Sequence, residues 1–189
     1  FQDVRIWGAT TQIYKSDPSL TNIFEAWGQF YFTEAFSFKM GRMPIAYHNE
    51  RFMGALGWAA QGRSHDALQL IYDKDGIKID VGMAFNQQVN EPTNLTGTFY
   101  PTTANYKTMQ YVYFGKKSEN TSITAIIHND GKQVQADAST AYRQTLGATI
   151  DQKLSSGMKL GGEFYYQMGK DERAVDVSAI FASAYVTLN

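Results

Sequence analysis

The sequence predicts an all-β fold, an up-and-down antiparallel transmembrane β-barrel with about ten strands in this chain. Three observations carry that reading. The stretch GIKIDVGMAFNQ sets Ile77, Ile79, Val81, Met83 and Phe85 on one parity and Lys78, Asp80, Gly82, Ala84 and Asn86 on the other. A period of two sends successive side chains to opposite sides of a sheet. Second, the joins between such stretches alternate in length. Third, no run approaches the roughly 18 consecutive apolar residues of a membrane-spanning helix, and the mean hydropathy is -0.36. A helical membrane bundle is thereby excluded, whereas a barrel, which turns half of each strand to water, is not.

The strand candidates centre on residues 4–12, 24–33, 36–44, 66–73, 77–86, 106–115, 122–128, 142–151, 158–168 and 175–188. Each is near the roughly 9 to 11 residues that a tilted membrane strand needs. Short joins at 33–35, 73–76, 116–120 and 154–157 alternate with longer ones at 16–21, 47–65, 87–105, 129–141 and 169–174. That rhythm gathers the tight turns at one end of the sheet and the long loops at the other, as outer-membrane barrels do. A Greek-key sandwich is not expected to keep it. The whole chain, 1–189, reads as part of a single outer-membrane barrel domain.

Parity assigns the faces. Met158, Leu160, Phe164, Tyr166 and Met168 oppose Lys159, Gly161, Glu163, Tyr165 and Gln167; Tyr142, Leu146, Ala148 and Ile150 oppose Arg143, Thr145, Gly147, Thr149 and Asp151. With Arg5, Glu25, Lys39, Lys78 and Asp80, the second parity makes an inner wall of mixed charge. In a dry core each unpaired charge would cost several kcal/mol, so this wall needs water on it. The solvent face of a soluble sheet meets the same need. Arg42 falls in phase with Phe36, Phe38 and Met40, and so points outward unless a bulge near Gly41 and Pro44 shifts the register. The last strand alternates poorly.

Composition narrows the function. Aromatic residues make up 14%, with 12 Tyr and 12 Phe, in keeping with an apolar outer band and interfacial girdles. A formal net charge of -1 offers no general attraction to nucleic acid. The absence of cysteine removes disulfides, thiolate metal sites and Cys nucleophiles. The opening FQDVRIWG has neither an initiator Met nor a basic and apolar leader, so the expectation is that a leader was removed or that the chain starts within a longer protein.

The densest segment runs from Gly41 to Tyr72, GRMPIAYHNERFMGALGWAAQGRSHDALQLIY. It resembles the alginate export family of outer-membrane porins at Gly41, Arg42, Tyr47, Glu50, Arg51, Gly54, Trp58, Gly62, Arg63, Ser64 and Asp66; Asp3 to Gly8 and Glu25 to Trp27 resemble the strands before it. His48 and Asn49 stand where the family often has Gly-Asp. The resemblance implies a barrel of about 18 strands, of which this chain is a fragment, and export of a saccharide.

Arg42, Arg51 and Arg63 in one loop system are candidates to line a constriction, because guanidinium forks bind carboxylates bidentately and keep their charge. Glu50 and Asp66 are candidates to hold them in place. The alternative is that these residues only lock a long loop against the barrel wall. His48, His65 and His128 form no close ligand pattern such as H-E-x-x-H, and no G-x-S-x-G elbow or phosphate-binding glycine loop occurs, so neither catalysis nor a cofactor is expected. The expected function is a porin-like channel in a Gram-negative outer membrane, passing hydrophilic solutes, acidic saccharides among them, by diffusion. Its partners are membrane lipids, the solute and other envelope proteins, with no nucleic acid. The competing readings are a plugged, scaffolding barrel and a soluble carbohydrate-binding β-sandwich.

Overall fold

The structure, a computed structural model, describes residues 2–3, 21–58, 62–86, 106–134, 137 and 139–188. Two short strands, β1 (Gln2–Asp3) and β2 (Thr21–Asn22), pair with each other. The rest is one sheet: β3 (Ala26–Tyr31), β4 (Phe36–Met43), β5 (His65–Lys74), β6 (Ile77–Phe85), β7 (Thr108–Lys117), β8 (Thr121–Gln133), β9 (Thr140–Ser155), β10 (Met158–Lys170) and β11 (Asp176–Leu188). All nine strands pair antiparallel with their sequence neighbours, in the order β3 to β11. Among the described residues there is no helix, and β3 and β11 do not pair, so the sheet is open rather than closed into a barrel. The expected strand at 4–12, with Arg5, and the loop 87–105 lie outside the described residues.

Local chemistry explains the tight turns. Lys74 and Ile77 are joined by Asp75 and Gly76, both left-handed (φ 53° and 74°), the pairing that a two-residue hairpin turn demands. The amides of Ala35 and Phe36 bond the Thr33 hydroxyl across the β3–β4 turn. At the opposite end the length rhythm fades. The β8–β9 and β10–β11 joins are shorter than the sequence spacing predicts, because the ladder runs on through Gln133–Thr140 and Lys170–Asp176. In the β10–β11 turn the Asp171 carboxylate accepts the amides of Val175 and Arg173. Those amides, with the Arg173 guanidinium, hold it below the ordinary carboxylate range.

Register fixes the faces across the whole sheet. One row reads Phe30, Phe38, Leu70, Val81, Val112, Ile127, Leu146, Tyr166, Ile180. Seven of these nine are large exposed apolar residues, from Leu146 at 38% to Ile180 at 70%. The adjoining rows repeat the pattern through Phe36, Ile79 and Phe164 on one side and Met40 and Met83 on the other. The opposite face is buried, yet Ser37, Gln69, Asp80, Thr124, His128, Asp130, Thr145, Thr149 and Glu163 all lie on it. The sheet therefore wears its apolar side outward and its polar side inward.

Small and large residues alternate on the buried face in a specific way. Gly82, Gly147 and Gly161 stand directly opposite Tyr111, Tyr165 and Tyr185 on the next strand. A Cβ on Gly82 or Gly161 would fall 2.2 Å from the opposing ring. The rings lie flat over the glycines, covering backbone that would otherwise be bare. Gly82→Ala is expected to destabilise the fold by about 1–3 kcal/mol, the cost of overpacking, read as a lower urea midpoint in detergent. Gly57→Ala, where an added Cβ meets nothing within 4 Å, is expected to change little.

Candidate functional site

The buried polar face is covered by the segment that follows β4. Met43, Ile45 and Met53 sink into a cluster with Ala67, Ala84, Met109, Tyr111, Tyr113 and Ile126. Each fully buried Met or Ile contributes about 1.5–3 kcal/mol by leaving water. Between Ile45 and Met53 the chain closes on itself: the Tyr47 amide bonds the Met53 carbonyl and the Glu50 amide bonds the Tyr47 carbonyl. His48 and Glu50 both adopt left-handed φ, 52° and 60°, which costs a non-glycine residue about 1–3 kcal/mol and persists only where its surroundings impose it.

What imposes it is a series of polar anchors on the wall. The Tyr47 hydroxyl donates to Asp80 Oδ2 at 2.7 Å, and its ring stacks on Tyr113 at 3.9 Å. Burial, then the neighbouring Tyr111 and Asp80, push the Tyr47 hydroxyl far above its ordinary pKa, so it stays the proton donor. His48 Nε2 lies 3.0 Å from Asp151 Oδ2. Asn49 Nδ2 donates to Glu163 Oε2 at 3.1 Å, and Arg51 Nε donates to Glu163 Oε1 at 2.7 Å. Arg51 also lies 4.7 Å over the Phe181 ring, and Phe52 meets His128 edge-on at 5.0 Å. One loop thus reaches β6, β7, β8, β9, β10 and β11.

The acids and bases are not equally accessible. Glu163 is 1% exposed and its partner Arg51 49%; Asp151 is 16% exposed and its partner Lys159 41%. Asp130, also buried, is held by Arg143 Nη2 at 3.1 Å. On the β8–β10 side, then, a carboxylate lies beneath and a cation stands above it. On this side the nitrogens are the more accessible atoms of each pair.

Most sequence-predicted positions fall on this face. Lys39, Lys78, Asp80, Arg143, Lys159 and Glu163 share the polar face, and Glu25 accepts the Trp27 indole N–H beside them. The five loop candidates separate. Arg42 and Asp66 form a bidentate pair, 2.8 and 2.6 Å, on the apolar face. They stand apart from Arg51, because the register runs through Gly41 without a bulge and leaves Arg42 in phase with Met40. Glu50 does not hold an arginine; its Oε2 accepts the Ala55 amide and braces its own loop. Arg63 is exposed, and its amide bonds the Ala55 carbonyl. Only Arg51 of the three arginines reaches the wall.

Tyr47, His48 and Asn49 were missed as anchors, though polar side chains in a row beside Arg51 were the available signal. No group of His, Cys, Asp and Glu among the described residues is arranged to hold a metal ion. No protein-family model matches the chain, and no curated protein matches it.

Glu163→Gln removes the charge under Arg51 while keeping the shape. The segment 47–53 is expected to loosen by about 1–3 kcal/mol, the worth of hydrogen bonds to a charged group. Trypsin should then cut after Arg51 faster than in the parent. Tyr47→Phe, which keeps the stack and loses the bond to Asp80, should fall between the two.

Proposed function

We propose that this chain forms part of the wall of an outer-membrane-type β-barrel channel of Gram-negative cells, passing hydrophilic solutes by diffusion past an inward-folded loop. The observation that carries the reading is the inverted polarity of the sheet. A face with Phe30, Ile127 and Ile180 each more than half exposed, repeated on nine adjacent strands, far exceeds the apolar patches that soluble proteins tolerate. In a bilayer the same face is favourable, and antiparallel strands satisfy their backbone groups with one another as lipid requires. A soluble sandwich would need a second sheet over the whole of this face, and among the described residues none lies there. Closure by further strands, and membership of the alginate export family, belong to this proposal.

The segment 44–58 supports a constriction. It packs through an apolar cluster and is held by Asp80, Asp151 and Glu163, so it sits on the wall at a fixed place. Selectivity then follows from which charges remain accessible. Arg51, Lys159 and Arg143 stand over buried acids, so anionic solutes, acidic saccharides among them, are favoured on that side. The same apolar packing also favours a second reading, in which the loop plugs the lumen and the barrel scaffolds envelope partners.

Ion conductance and reversal potential of the intact protein in a planar bilayer separate the two. Stable steps with anion preference are expected, and Arg51→Gln should shift the reversal potential toward cations while leaving insertion unchanged. Silent bilayers with insertion verified would overturn the open channel in favour of the plugged barrel. A protein that stays in the aqueous phase during detergent partitioning would overturn both.

A further inference from the structure

On the β3–β6 side of the loop a hollow of about 290 Å³ lies between residues 44–47 and the turn at the end of β3. That is the lower limit of small-molecule sites, which run from roughly 300 to 1,000 Å³. Strand register lays out its floor. One row runs Tyr31, Ser37, Ile71, Asp80 across β3 to β6, about 14 Å at the usual strand spacing. The row on the loop side reads Gln29, Lys39, Gln69, and on the turn side Asp73 stands opposite Lys78.

Two features of this floor restrict what can lie on it. The Tyr31 ring, 72% exposed, and the partly buried Ile71 are apolar surface in an otherwise polar wall. Around them the charges are interleaved. Lys78 faces Asp73 in register, and its Nζ lies 3.7 Å from Asp80 Oδ2. Lys39 Nζ stands 3.8 Å over the Trp27 ring. The amides beside it are already held in place: Gln29 Nε2 donates to Ser37 Oγ at 2.9 Å, and Gln69 Nε2 donates to the Tyr111 hydroxyl at 2.6 Å.

Interleaved charges disfavour ions of either sign. An anion that reaches Lys39 and Lys78 meets Asp73, Asp80 and Glu34 in the same hollow, and a cation that reaches those acids meets the two lysines. A hydroxyl has one donor and two acceptor sites, so neighbouring hydroxyls can answer a carboxylate and an ammonium side by side. The apolar surface adds a second requirement, a molecule with one face of C–H groups. A pyranose ring meets both, with hydroxyls at its rim and C–H groups on its faces. We propose that this hollow binds one uncharged pyranose unit, its C–H face on Tyr31 and Ile71 and its hydroxyls among Lys39, Lys78 and Asp73. The inference rests on the proposed channel, for which it names a neutral saccharide as solute.

The test uses the intact protein folded in detergent, titrated by calorimetry with methyl glucoside, glucosamine and glucuronate. Methyl glucoside is expected to bind saturably. Tyr31→Ala, a change at an exposed ring, should weaken it roughly tenfold or more, the scale of losing the apolar burial of one ring; Tyr31→Phe should not. Glucosamine and glucuronate should each bind the Tyr31-dependent site roughly tenfold more weakly than methyl glucoside, the scale of one mismatched charge. Lys78→Gln should recover glucosamine, and Asp73→Asn glucuronate. Glucuronate held at Arg51 instead is recognised by its loss in Arg51→Gln and its indifference to Tyr31→Ala. No saturable signal, methyl glucoside binding unchanged by Tyr31→Ala, or a charged analogue binding there as tightly as methyl glucoside would each overturn the site. Binding without conductance would retain the site and sink the channel; conductance without binding would do the reverse.

Discussion

The arrangement on which everything else depends is a sheet turned inside out. A period of two fixes only that two kinds of side chain go to two faces; what surrounds each face is decided by the other groups present. Here the polar face is the crowded one. Asp80, Thr145 and Glu163 are buried on it, and such groups are tolerated only when hydrogen-bonded or paired. The apolar face has nothing of the described chain against it. A water-soluble protein would gain roughly 25 cal/mol for every Å² of that face it covered, so leaving it bare on nine strands is intelligible only if something other than water lies there.

Inward polarity then dictates how the loop is held. An apolar loop alone could pack over Met109 and Ile126, but it would strand the carboxylates beneath it without partners. The segment 44–58 solves both problems with alternating chemistry: Ile45 and Met53 fill space beside Met43 of β4, while Tyr47, His48, Asn49 and Arg51 answer Asp80, Asp151 and Glu163. Buried ion pairs are weak as a source of stability because desolvation offsets the attraction. They are strong as a source of position, since removing one partner leaves the other buried and unpaired. The left-handed His48 and Glu50 follow from this, their backbone bent so that adjacent side chains reach adjacent strands.

The strands were legible because alternation is a local property, readable within ten residues. Of the ten expected segments the structure describes nine, and all nine appear as β3 to β11. Even the poorly alternating β11 keeps register from Val177 to Leu188, since its neighbour β10 sets the pairing. The ends of β8, β9 and β10 were not legible: backbone hydrogen bonding continues the ladder past the last apolar residue, through Gly131, Lys132 and Gln133, where side chains give no signal. Parity put Lys39, Asp80 and Glu163 on one face, and register does the same. Parity could not say which charges meet, because Arg51 and Glu163 are 112 residues apart in sequence. Arg42 was legible by its phase with Met40, and the grouping of three arginines by proximity in sequence set that phase aside.

The two sides of the loop differ for a reason that lies in strand register. On β8 to β10 each carboxylate has a cation, Asp130 and Asp151 from a neighbouring strand through Arg143 and Lys159, and Glu163 from the loop through Arg51. On β3 to β6 the pairing is looser: Asp73 sits opposite Lys78 in register, Lys78 Nζ lies 3.7 Å from Asp80 Oδ2, and Lys39 stands over the Trp27 ring. The loop is anchored by ion pairs and hydrogen bonds to the first side and packs beside the second, so the two flanks of one loop differ in how their charges are met.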